Sequence, residues 1–172
     1  MADEMKMQRN PMADIGLDVL EDTLSFYIRS INMAISRDLD ASLDGLEVAR
    51  GTGKITTLLL VDRHPGIRPS VIATLIQRDR SAMVRLVDQM EESGLLTREV
   101  APDDNRAQGL FITGRGRALA AEIRPRVVRQ SREFFPDITD EEHAVLIRVL
   151  GRTYRRIVGL PPAGKNKTSG EP

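Results

Sequence analysis

From Ile15 to Leu43 the apolar residues Leu17, Leu20, Leu24, Ile28, Ile31, Ile35 and Leu39 recur at threes and fours, which predicts one long amphipathic helix. A stripe of that length exceeds what a small domain can cover, so a helix of a second copy is its expected partner. Lys54 to His64 predicts the next helix, with Leu58, Leu59, Leu60 and Val61 buried and the turn His64-Pro65-Gly66 after it. The segment RPSVIATLIQ predicts a short helix that turns Val71, Ile72, Leu75 and Ile76 inward, with Pro69 in a first turn that does not need its N–H. DRSAMVRLVDQMEESGLL predicts a helix that buries Val84, Val87 and Met90 and ends at Gly94, a residue suited to the left-handed position. TREV and LFIT, joined by APDDNRAQG, predict an antiparallel hairpin with a tight, exposed turn. Thr113 then caps a long helix through Ala118, Leu119, Ala121 and Ile123, which Pro125 should bend or interrupt. Thr139 with Glu142 three residues later forms a capping box for a last helix, whose Val145, Leu146, Leu150 and Ile157 also await a partner. Residues 1–13 and 161–172 lack a period and are expected to be loosely ordered or disordered.

Composition sets bounds on this picture. A chain of 172 residues suits one domain with helical extensions. The absence of Cys removes disulfides, thiol redox chemistry, thiolate metal sites and cysteine nucleophiles. Apolar runs as short as Leu58 to Val61 exclude a membrane anchor, and no charged leader precedes an apolar segment, so the expected compartment is the cytoplasm.

Net charge is zero, which taken alone argues against a nucleic-acid binder. The distribution argues for one. Residues 1–49 hold four Lys/Arg and ten Asp/Glu, a balance of −6, whereas residues 50–132 hold fifteen and nine, a balance of +6. All but one of those fifteen cations are Arg, whose planar fork suits phosphate and guanine. A basic middle flanked by an acidic segment steers a polyanion to one face. Merely solvated arginine faces would have the same composition.

The order and spacing of ITTLLLVDRHPGIRPSVIATLI, RSAMVRLVDQMEESGLLTRE and PDDNRAQGLFITGRGRAL resemble the MarR family of winged-helix transcription regulators. The resemblance covers the central third to half of the chain in detail. It implies a mainly α fold with a small β wing, a winged helix-turn-helix core at 54–112 and dimerisation helices at 14–45 and 114–160. It also implies a homodimer on double-stranded DNA, acting as a repressor and released by a small ligand. In the family an acidic residue and an arginine two positions later sit in the wing, as Asp104 and Arg106 do here, with Asn105 where a second basic residue is common. Small aromatic or lipophilic anions often bind such proteins between the dimerisation helices and the reading module. Phe26, Tyr27, Ser30, Met33 and Lys54 are the candidates for that lining here, although Phe26 and Met33 also suit plain packing.

Chemical reasoning selects the reading surface. A recognition helix exposes its N-terminal half to the major groove, and Arg80, Ser81, Ala82 and Arg85 fall away from the expected stripe of Val84, Val87 and Met90. Arg80 and Arg85 suit guanine edges or phosphates, Ser81 either, and Ala82 close approach or a thymine methyl. Arg106 at the hairpin tip is expected in a minor groove, with Asp104 holding it or forming an Asx turn. Arg78, Asp79 and Arg80 could instead form surface ion pairs.

Other signals fail on inspection. RGTGK at 50–54 has Val48 and Ile55 where a phosphate loop needs Gly and Ser or Thr. His64 and His143 have no companion at metal-ligand spacing, so no metal and no cofactor is expected. No nucleophile, base and oxyanion group converge, so no catalytic residue is assigned. The alternative to a DNA regulator is a winged-helix protein-interaction module without operator specificity.

Overall fold

The computed structural model describes residues 15–49, 51–101 and 104–162, with side chains except at 52, 100, 101 and 104–107. After a 3-10 turn at Asp18–Asp22 come α1 (Leu24–Ser42), α2 (Thr52–Arg63), α3 (Pro69–Leu75) and α4 (Arg80–Glu92). The antiparallel strands β1 (Leu96–Ala101) and β2 (Asp104–Ile112) follow, then α5 (Gly114–Glu133) and α6 (Asp140–Val158). The chain divides into two compact units, Met1–Arg37 and Asp38–Pro172, with the boundary inside α1.

In the first unit the expected single helix is corrected. It starts at Leu24 rather than near Ile15, because Thr23 is extended and Asp18 has φ 54°. The preceding turn closes on its own hydrogen bonds: the Leu17 amide donates to Glu21 Oε1 at 3.1 Å, and Thr23 Oγ1 donates to the Val19 carbonyl at 2.7 Å. Leu20, Leu24, Ile28 and Ile31 are all exposed there.

The second unit holds the core. Leu58 and Val61 of α2 meet Ile72 of α3, Met83, Val87 and Met90 of α4, Leu96 and Leu110 of the hairpin, and Ala120 and Ile123 of α5. Leu59 and Leu60, expected inside, are only partly buried, since α2 turns just one side to this cluster. Val71 is likewise exposed, leaving Ile72 as the fully buried residue of α3.

Local signals fix the joints. Gly94 takes φ 67° after α4, and Gly66 takes φ 82° in the turn after α2. From that turn Ile67 bridges to Leu110 and adds a third short edge to the hairpin. Gly116 sits so close to β1 that a Cβ would lie 2.1 Å from the Leu95 carbonyl oxygen, so no side chain fits. Thr113 caps α5 by accepting from the Gly116 amide, and the helix runs on through Pro125 without interruption. Thr139 and Glu142 form the capping box of α6. Among the described residues no helix is long and apolar enough to cross a membrane.

Candidate nucleic-acid interface

Asp79 opens α4. Its Oδ1 accepts from the Ala82 amide at 2.7 Å and from the Ser81 hydroxyl at 2.7 Å. The Ala82 amide, then the Ser81 hydroxyl, and further off the charge of Arg85 hold its carboxyl below the ordinary value, against a smaller opposing effect of desolvation. Asp79 is thus a helix cap, which corrects its reading as an ion-pair partner of Arg78 and Arg80. Among the described residues Arg78, Arg80 and Arg85 make no ion pair, and all three are exposed.

The buried stripe of α4 is Met83, Leu86, Val87 and Met90. Val84, expected in that stripe, is 48% exposed. The reason is phase: Met83 and Leu86 face the core, and that rotation carries Val84 out toward solvent. Arg80, Ser81 and Arg85 remain on accessible surface, with Ala82 half-buried beside them.

The far end of α4 is held by β1. Arg98 donates to Asp88 Oδ1 at 2.6 Å and forms a second ion pair with Glu91, while its own amide donates to Glu91 Oε1 at 3.0 Å. Asp88 and Glu91 of the helix are therefore neutralised from the hairpin, and its free cations lie at the N-terminal half. Sequence reasoning missed this latch, although carboxylates three residues apart on α4 and an arginine early in the next strand were its visible traces. Together α3, α4 and the hairpin bound an open groove of about 1160 Å³, lined by Arg68, Thr74, Arg78, Arg80, Arg98 and Gln108 among others.

Asp104 and Arg106 fall in the first half of β2, Asp104 opposite Ala101. The roles expected of their side chains lie outside the described residues. Of the candidate ligand residues, Phe26, Tyr27, Ser30 and Met33 lie on α1 in the first unit. Phe26 and Tyr27 meet edge to face at 5.4 Å, and the Tyr27 hydroxyl donates to the Glu21 carbonyl at 3.0 Å. Lys54 lies in the first turn of α2 in the second unit. That unit also has an open apolar hollow of about 410 Å³, which sequence reasoning did not find, bordered by Leu39, Ile55, Leu59, Leu60 and Val127 with Arg63 and Arg124 beside them. Arg124 pairs with Asp62 at 2.7 Å.

Comparison with known proteins agrees with this geometry. The MarR family model matches residues 53–107. A putative transcriptional regulatory protein for the hcr operon of Thauera aromatica is 30% identical over 151 residues, covering 88% of this chain and 90% of that protein. Among solved structures, the transcriptional repressor CouR bound to a 23-mer DNA duplex is similar in fold, with a TM-score of 0.73 and 23% identity over 83% of this chain and 100% of that one. CouR of Rhodococcus jostii RHA1 bound to p-coumaroyl-CoA gives a TM-score of 0.68 and 25% identity over 81% of this chain and 94% of that one.

Proposed function

The chain belongs to the MarR family of transcriptional regulators, and from that membership we propose that it is a dimeric repressor whose two α4 helices read a pseudopalindromic operator. One observation carries the reading: Arg80 and Arg85 make no ion pair on the exposed half of a capped helix, while Arg98 neutralises Asp88 and Glu91 farther along it. Unpaired guanidinium groups on a firm helix suit phosphate oxygens and guanine edges, at no cost in broken ion pairs. Two such helices on a twofold axis address half-sites ~34–36 Å apart. Arg106 is proposed to enter the adjacent minor groove from the wing, with Asp104 holding its side chain or the loop.

Release is assigned to a small lipophilic anion. The open apolar hollow beside Arg63 and Arg124 would take an aromatic or acyl body with its negative group toward the guanidinium groups. Phe26, Tyr27, Ser30 and Met33 on α1 of the first unit, and Lys54 at the start of α2 of the second, remain proposed ligand contacts, each within its own unit. Aromatic and fatty acids should raise the melting temperature and weaken operator binding. No effect of any of them on either quantity would remove the effector from the reading.

The DNA-binding test is fluorescence anisotropy with a duplex selected from a random library and a scrambled duplex, across a salt series. Tight binding to the selected duplex should weaken steeply with salt. Alanine at Arg85 or Arg80 should lose ~1–3 kcal/mol of discrimination for each base contact removed. Equal, salt-insensitive affinity for both duplexes would instead favour a protein-interaction module.

A further inference from the structure

Val84 lies outside the core stripe of α4 and lines the open groove between α3, α4 and the hairpin. It is the large apolar residue that α4 leaves exposed, at the middle of the helix, with 48% of its surface open. A β-branched side chain half-exposed on a helix gains no propensity and little burial, and the four apolar residues of the core stripe already anchor α4 without it. Its neighbours one turn away are Arg80 and Asp88, and Arg85 follows it directly. An apolar spot beside two unpaired cations matches a polyanion that carries apolar points. In the major groove that point is the C5 methyl of thymine.

We propose that Val84 is a specificity residue that packs on a thymine methyl in each operator half-site. The inference rests on the DNA-binding reading above and specifies one base within it. Along the helix axis Val84 lies about 6 Å from Arg80, less than two base-pair steps of ~3.4 Å. The thymine therefore sits within about two base pairs of the position addressed by Arg80 or Arg85. Polar residues elsewhere on the exposed side, such as Gln89, offer no such contact, since a methyl group neither donates nor accepts.

The test uses duplexes in which deoxyuridine replaces thymine one position at a time, removing only the methyl. Full-length protein first selects its preferred duplex from a random library, and anisotropy then measures each replacement. At one position per half-site the wild type should lose about four-fold in affinity, and about sixteen-fold when both half-sites are changed. Val84→Ala should bind the unmodified duplex more weakly and show a clearly smaller loss at that same position. Circular dichroism and sedimentation should find the variant folded and dimeric like the wild type. Indifference of the wild type to deoxyuridine at every position, or a full methyl effect retained in Val84→Ala, would overturn the assignment while leaving the DNA-binding reading intact. Failure to enrich any sequence would take down that reading and this inference together.

Discussion

A buried hydroxyl with no partner is a fixed cost to a fold, and Thr57 has one. It is 0% exposed on α2, and its Oγ1 has no hydrogen-bond partner among the described residues. Valine has the same shape with a methyl group in place of the hydroxyl, so Thr57→Val should remove the desolvation penalty without opening a cavity and stabilise the protein by ~1–3 kcal/mol. A urea titration should find a higher midpoint with an unchanged slope; a lower midpoint would mean that the hydroxyl is satisfied in solution. Nothing in the sequence marks Thr57 out. Thr56 beside it is exposed, and both precede the run Leu58 to Val61, where consecutive apolar residues hide the phase of the helix. The arginines of α4 were easier to place. Arg80 follows the cap directly, so its exposure follows from local geometry, and the structure leaves both Arg80 and Arg85 accessible.

At the scale of the element, α4 depends on Asp79 to order the turn that presents Arg80 and Ser81. The Asp79 carboxyl titrates below its ordinary value of 3.8 in the folded protein. Its stabilisation is therefore complete above about pH 4 and disappears as pH falls through the lowered value, and Glu142 of the α6 capping box, ordinarily 4.5, acts in the same direction. Thermal melts between pH 6 and 3 should fall more steeply for the wild type than for Asp79→Asn, which still caps the helix but has no charge to lose. Parallel curves would show that the cap is indifferent to ionisation. Caps and turns were the legible elements, because Thr113, Thr139 with Glu142, and Gly94 act within a few residues of themselves. The phase of α4 was not. Val84, Val87 and Met90 make as good a stripe on paper as Met83, Leu86, Val87 and Met90, and only packing against the core decides between them. The start of α1 was lost for a similar reason, since the period of Leu17, Leu20 and Leu24 continues through a turn whose hydrogen bonds break the helix at Thr23.

For the whole molecule the decisive fact is how much apolar surface the single chain leaves open. Val145, Leu146, Val149, Leu150 and Ile157 of α6 are exposed, and so, in the other unit, are Leu24, Ile28 and Ile31 of α1. Faces of that kind mark an interface, and a second copy supplies the same faces by symmetry. On the proposed reading, dimerisation also makes a chain of zero net charge an effective DNA binder, because it doubles the arginines of α4 offered to the duplex. Leu150→Glu places a charge in the α6 face and should yield a folded monomer by sedimentation. Since the logarithmic salt slope counts phosphate contacts, at ~0.9 per contact on duplex DNA, that monomer should bind the selected operator with about half the wild-type slope and far lower affinity. A Leu150→Glu protein that stays dimeric would exclude α6 as the interface. A true monomer that keeps the full slope would show that one α4, with its own hairpin, makes all the contacts, and the two-helix reading of the operator would fall.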